Sequence, residues 1–478
     1  MTQNAKVKVL CFTELFTSVA LPIALDVYQR PYVWGPDKVK QLLDDLKQHF
    51  RQHAAPDYYL GSILLHENRQ QKKLFIIDGQ QRLTSLAVLY HTCTRCLPPK
   101  LKFTYGSPDS ARNIKQTQAE CALVHKSFTS DIFQRISFTV ITVTEEDLAF
   151  TFFDTQNNRG MPLDATDLLK AYHLRAVTGD SRDELQTECA KRWERLQLGG
   201  QKFGCATDFA PLLFQQYLWR ARRWTGQKKL ARETHNAIMT EFQHTAVAPE
   251  APERLALYPS QLNSRHASLV LDLERPVGYR LTPHLVQKKH SSAQLPFVIR
   301  QPISKGIGFF LYADKYSALI TELMDSHSED PAILDFLDFY QKVIAKLSIY
   351  LRELFLLASV MFIDKFGKRQ LLQFALWLDY SLGAIRLLKH YIFREAPLIY
   401  LRDSSHNLLD VISGAFLPDQ VIEFLRRDES AGEVYATERI EAGIGVQGAY
   451  KQRVLDYYGK RDSLKHKALW IEEKQPWP

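Results

Sequence analysis

Within a few residues of Asp78 the chain changes its hydrophobic period, and this change restricts the local fold to one arrangement. Leu74 to Ile77 is an unbroken apolar run bounded by polar residues, which reads as a short buried strand. Leu83, Leu86, Ala87, Leu89 and Tyr90 then recur at helical spacing. Between them stands Asp78-Gly79-Gln80-Gln81-Arg82, so the order is strand, tight turn, helix. A helix that begins at such a turn presents free N–H groups and a partial positive charge, and anions bind there. Gly79 permits close backbone approach, and Arg82 can clamp phosphate oxygens bidentately. Gln80 and Gln81 can orient a water or a ribose, while Asp78 can hold Mg²⁺. The plainer alternative is that Asp78 only caps a structural helix.

The surroundings predict an α+β chain, with a small mixed-sheet domain followed by a largely α-helical region. Asp37 to Phe50 carries Val39, Leu42, Leu43, Leu46 and Phe50 on one helical face after Gly35-Pro36. Tyr59 to Leu65 and Leu74 to Ile77 read as a hairpin-like strand pair joined by polar residues, and Ile136 to Val143 as a further β-branched strand. Asp164 and Asp167 form a variant capping box at the head of LLKAYHL. The Pro-bearing stretch His244 to Arg254 reads as a linker. Amphipathic stretches over Ala332 to Phe366 and Gln370 to Phe393 suggest a helical bundle. The expected divisions are 1–145, a helical continuation over 146–245, a linker or irregular segment over 246–295, and a helical domain over 296–478.

A chain of 478 residues that is 45% hydrophobic and 24% charged buries a core, which excludes a disordered or collagenous protein. Its 61 basic and 53 acidic residues leave +8, which permits a polyanion partner without requiring one. The densest basic run, Arg220 to Arg232, places Arg220, Arg222, Arg223, Lys228, Lys229 and Arg232 around Trp224 with no acid inside it. Such residues neutralise phosphates and stack bases; the alternative is a solvated helix end. Six cysteines are too few for a disulfide framework, and Cys93 with Cys96 reads as two free thiols rather than half of a zinc site. Charges at Lys6, Lys8 and Glu14 interrupt any signal peptide, and the apolar stretch Leu354 to Ile363 falls short of a membrane span. A cytoplasmic protein with no membrane association and no bound structural metal is expected.

Four ordered blocks resemble the DUF262 family, the N-terminal domain of GmrSD-type modification-dependent restriction enzymes, a relative of the ParB/sulfiredoxin fold. They are Val27-Tyr28-Gln29-Arg30-Pro31-Tyr32-Val33-Trp34, Tyr59-Leu60-Gly61-Ser62-Ile63, Ile77-Asp78-Gly79-Gln80-Gln81-Arg82-Leu83-Thr84-Ser85-Leu86, and Phe153 to Gly160 with Pro162-Leu163 and Asp167 to Lys170. The resemblance implies a nucleoside triphosphate-hydrolysing, DNA-sensing module of prokaryotic defence. Asp78, Gln80, Gln81 and Arg82 would be catalytic. Gln29, Arg30, Gly61, Ser62, Gly79, Asn157, Arg159 and Lys170 would bind the nucleotide. Tyr32 and Trp34, with Tyr28, would face a base or a modified nucleotide of DNA, unless they pack in the core. Many relatives append a His-Asn-His nuclease, and no histidine from His284 to His466 stands in such a setting. Cutting would then come from a partner nuclease, and the helical C-terminal faces suit that partner or a second copy. The alternative is a non-hydrolysing, nucleotide-regulated DNA-binding or scaffold protein.

Overall fold

The computed structural model describes residues 5–26, 29, 31–51, 56–145, 164–179, 181–199, 208–228, 230–249, 267–274, 278–285, 293, 295–461 and 463–474. The chain divides into two compact units, Met1–Asp167 and Leu168–Pro478. The fold is α+β, as expected, with a mixed sheet in the first unit and mostly helices in the second.

The first unit is built on strands β1 (Ala5–Cys11), β2 (Ile23–Ala24), β3 (Tyr58–Asn68), β4 (Lys73–Asp78), β5 (Leu101–Lys102) and β6 (Ile136–Val143). They form one six-stranded sheet in the order β1-β6-β3-β4-β2-β5. β3 and β4 are the expected antiparallel hairpin, while β6 runs parallel to β3 and antiparallel to β1. Helices α1 (Phe12–Thr17), α2 (Pro36–Phe50), α3 (Gln80–Thr94) and α4 (Pro108–Val124) belong to the same unit. Period-two alternation in β6 buries Ile136, Phe138 and Val140, and the stripe Val39, Leu42, Leu43 and Leu46 does the same for α2. Both sets join Ile63, Leu65, Ile76, Leu83 and Leu86 in one core. Each such side chain contributes about 1.5–3 kcal/mol by leaving water. α1 and the two-residue strands escape the sequence reading because they are short, α4 because it is largely polar, and β1 because Lys6 and Lys8 break its apolar character.

The second unit stacks long helices, among them Ile307–Leu323, Pro331–Lys342, Ile349–Phe366 and Leu371–Leu388. The expected stretch Ala332 to Phe366 is two helices, because the Ser348 hydroxyl caps a new one at the Leu351 N–H. A two-stranded antiparallel sheet, Ala267–Glu274 with Gly278–Leu285, lies where a linker or irregular segment was expected. Leu371–Leu388 is long and apolar enough to cross a membrane by length and composition, and 78% of it is buried inside the protein, as in the core helix of a helical bundle. Its Asp379 is fully buried against Lys467, 2.7 Å away, with the hydroxyls of Tyr435 and Tyr450 completing the ammonium's shell.

Candidate functional site

The register between β3 and β6 slips between Tyr59 and Ser62, and Gly61 stands in this bulge with φ +98°. From the first turn of α3, Arg82 reaches back across the sheet. Its Nη1 donates to the Leu60 carbonyl at 2.8 Å and its Nη2 to the Ser62 carbonyl at 2.8 Å. The same Nη2 lies 3.3 Å from Asp78 Oδ2, so one planar guanidinium ties the bulge to the end of β4. Arg82, expected as a phosphate clamp, is a brace between β3 and the turn.

Gly79 is the N-cap of α3, with φ +98° and no side-chain cap. A Cβ there would sit 3.0 Å from Ile63 Cγ1, so glycine is required both by conformation and by space. Asp78 therefore does not act as the helix cap. It is half-buried, and it is the carboxylate that the turn presents next to an α3 first turn lacking any acid of its own.

The two glutamines and the loop before α2 close the arrangement. Gln81 accepts from the Val33 N–H at 2.9 Å and the Trp34 N–H at 3.3 Å, and donates to the Pro31 carbonyl at 3.0 Å. Gln29 donates to the Ile76 carbonyl at 2.7 Å and to that of Ile77 at 3.2 Å. Gln80 is buried and donates to the Tyr105 hydroxyl, whose pKa burial pushes up to about 12. Gln81 and Gln29 thus tie the first sequence block to the third, and Arg82 ties the second to the third.

Tyr32 is fully buried, not a wall facing DNA. Its hydroxyl meets Ser85 and Thr117, and its backbone is held by Ser110 and Asn113. Burial raises its phenol pKa. Trp34 is half-buried and packs against the same core. Packing, the alternative left open for both, describes them. Ser110, Asn113, Thr117 and Tyr105 were missed, since scattered polar residues on a helix and a loop carry no signal of a shared partner. Tyr28, Arg30, Asn157, Arg159 and Lys229 lie outside the described residues. Lys170 belongs to the second unit, where it is buried.

The basic run is also rearranged by its environment. Arg220 is buried, with Nη2 2.7 Å from Glu233 and Nη1 2.7 Å from Glu353, and its guanidinium lies 4.7 Å from the ring of buried Trp224. Arg222 pairs with buried Glu241 and donates to the carbonyls of Ile299 and Gln301, and Arg223 pairs with the same Glu241. Of the expected DNA contacts, Arg220 and Arg222 are internal and Lys228 is exposed. Neither DNA binding nor a solvated helix end describes Arg220 and Arg222: Glu233 and Glu241, which follow the run, and Glu353, 133 residues from Arg220, neutralise them inside the protein.

Chemically, the turn offers backbone N–H groups, a close-approach glycine and one half-buried carboxylate. A phosphate would fit the α3 N-terminus, and Asp78 is the residue that would hold Mg²⁺ there, since Mg²⁺ sites commonly use one or two carboxylates. Among the described residues no group of three or more His, Cys, Asp or Glu side chains is placed to hold a metal by itself.

Comparison with known proteins gives two matches. Residues 12–174 match the GmrSD restriction endonuclease N-terminal domain, and residues 185–441 match a family of unknown function, DUF7834. No curated protein matches the chain. The first match covers the braced β3–turn–α3 site and the second contains the buried arginine network. With the second match spanning more than half of the 478 residues, the chain belongs to the DUF7834 family and carries, ahead of that region, a GmrSD-type restriction endonuclease N-terminal domain.

Proposed function

We propose that this protein is a nucleoside triphosphate-hydrolysing, DNA-sensing subunit of a prokaryotic anti-phage or modification-dependent restriction system, acting in the cytoplasm, with DNA cutting supplied by a partner nuclease. The observation that carries the reading is the convergence of Gln29, residues 31–34, 59–62 and 76–86 on the start of α3, which has no side-chain cap, within a domain of restriction-endonuclease type. In this reading the α3 N–H groups bind phosphate and Gly79 admits it. Asp78 would hold Mg²⁺, which would supply charge neutralisation at the phosphates. Arg82, Gln81 and Gln29 keep the turn and its flanking loop in register and are positioning residues.

The test is phosphate release from each nucleoside triphosphate by the purified chain with Mg²⁺, with and without modified phage DNA. Turnover that is lost in Asp78→Ala, with no DNA cleavage by the chain alone, is expected. Absence of both nucleotide binding and turnover would overturn the reading. Metal-dependent DNA cleavage lost in Asp78→Ala would instead put a nuclease centre in the N-terminal domain. One observation favours a second reading, a nucleotide-regulated DNA-binding or scaffold protein without turnover: the guanidinium best suited to stabilise a leaving phosphate is engaged by Leu60 and Ser62. Tight nucleotide binding without phosphate release would select it.

A further inference from the structure

The second unit contains a cavity of about 550 Å³ walled by the helices Leu371–Leu388, Ala396–Asp403, Pro418–Arg426 and Glu429–Thr437. Apolar side chains line much of it, among them Ile385, Leu388, Ile399, Phe424 and Val434. The Ser381 hydroxyl on its wall is buried and meets the Tyr400 phenol without forming a hydrogen bond of regular geometry. A buried hydroxyl left in this state costs stability, so the space suits an apolar occupant with one polar tip. On the wall Asp403, Asp428 and Glu429 outnumber Lys389 and Arg427, and this acidic rim favours an occupant with basic neighbours.

The chain leaves this wall at Lys389 and rejoins it at Ala396, and the loop between them reads Lys389-His390-Tyr391-Ile392-Phe393-Arg394-Glu395. On it Tyr391 is 78% exposed and Phe393 69%, and Leu388, which lines the cavity, is 65% exposed. Large apolar side chains gathered in water at one place mark an interaction surface. The loop is fixed at both ends. Arg386 donates to the carbonyls of Lys389 and His390, Arg394 lies 2.7 Å from Glu233, and Glu395 lies 2.9 Å from Arg232. Tyr391 and Phe393 are thus presented on a loop that is already ordered, which lowers the entropic cost of docking them.

We infer that two copies of this chain form a two-fold dimer in which Tyr391 and Phe393 of each copy fill the cavity of the other. The loop and the cavity adjoin on one surface, and a two-fold axis between them needs that adjacency, because a single rotation then makes both contacts at once. The chemistry of the two parts matches. Aromatic rings enter a space lined by aliphatic side chains and Phe424, and the Tyr391 hydroxyl is the polar tip that donates to Ser381. The basic Lys389-His390 at the start of one loop approaches the acidic rim of the other copy. Covering these rings with Leu388 and Ile399 in both copies, together with the walls they meet, removes on the order of 1,200 Å² from water, the lower end of the range for specific stable interfaces.

The experiment is sedimentation velocity of the full chain over concentrations from about 1 to 100 µM, which bracket the weak end of affinities for an interface of this class. Wild type should be dimeric. Y391A/F393A should associate at least about tenfold more weakly while unfolding at the wild-type temperature, since both side chains lie in solvent in the single chain. Ala384→Phe, which places a ring in the cavity from its own wall, should be impaired in the same way. Mixed together, the two variants should form a heterodimer through the one intact pair of rings and the one intact cavity. A wild type that stays monomeric throughout would leave this surface to a different protein and overturn the inference. So would a dimer that Y391A/F393A leaves as tight as wild type, whether or not the Ala384 variant folds.

Discussion

Gly61 exists at its position to make room for Arg82: a Cβ on Gly61 would lie 2.4 Å from Arg82 Nη1. The bulge in β3 turns the Leu60 and Ser62 carbonyls toward one guanidinium, and only a residue without a side chain lets that guanidinium enter between them. The backbone there has φ +98°, which an L side chain rarely adopts.

Gly61→Ala should therefore destabilise the N-terminal unit by about 1–3 kcal/mol from backbone strain, with a further loss from displacing Arg82. Urea unfolding followed by tryptophan fluorescence measures it. Stability within error of wild type would show that the brace is dispensable.

Arg82→Lys should be almost as harmful as Arg82→Ala. A single ammonium on a flexible stem cannot occupy both carbonyl positions in the plane that the fork provides. A loss of about 1–3 kcal/mol is expected for the unmatched carbonyls, together with loss of nucleotide turnover because the turn shifts. A lysine variant with wild-type stability and turnover would contradict the brace and return Arg82 to the role of a simple charge at the phosphate.

Glu241→Gln leaves Arg222 buried beside a neutral amide, so a loss of about 3–5 kcal/mol is expected, the cost of breaking one side of a buried pair. The affinity for DNA and its salt dependence should stay unchanged in whatever fraction remains folded, because Arg222 faces Glu241, Ile299 and Gln301. A reduced salt slope in this variant would restore the run to a DNA surface.

Stability should fall with acid in a specific window set by His173. This ring is fully buried, stacked 3.7 Å from Phe309, and hydrogen-bonded through Nε2 to the Phe242 carbonyl. Burial pushes its pKa down to about 3, from an ordinary 6.5. The unfolded chain takes up a proton below 6.5 and the folded chain does not, so the stabilisation is complete above 6.5 and declines as pH falls, by about 1.4 kcal/mol per unit. Urea midpoints between pH 7.5 and 5 measure this, and His173→Phe should flatten the slope. An identical slope in the variant would assign the dependence to other groups.

Glu233 adds a second, lower window. Burial opposes its charge, but the guanidiniums of Arg220 and Arg394 outweigh burial and hold its carboxyl below the ordinary 4.5. Its contribution is present above 4.5 and is lost as pH falls through the depressed folded value. Glu233→Gln should be less stable than wild type at pH 7, with the difference shrinking in acid.

What the sequence determined by itself was local. The change of period at Asp78-Gly79 located the end of β4 and the start of α3, β-branched alternation located β6 from Ile136 to Val143, and the apolar stripe of α2 located a core face. These patterns are legible because strand and helix periods are properties of neighbouring residues. The four blocks also identified the N-terminal domain type. Tertiary structure alone decided what the polar residues in those blocks do. Arg82 meets carbonyls from residues 60 and 62, Tyr32 meets hydroxyls from residues 85 and 117, and Arg220 meets carboxylates from residues 233 and 353. A charged or hydroxylated side chain has no function until its partner is known, and partners far apart in the chain are chosen by packing. For the same physical reason Arg220 and Arg222 of the densest basic run are internal, while Arg223, Lys228 and Arg232 of the same run are exposed.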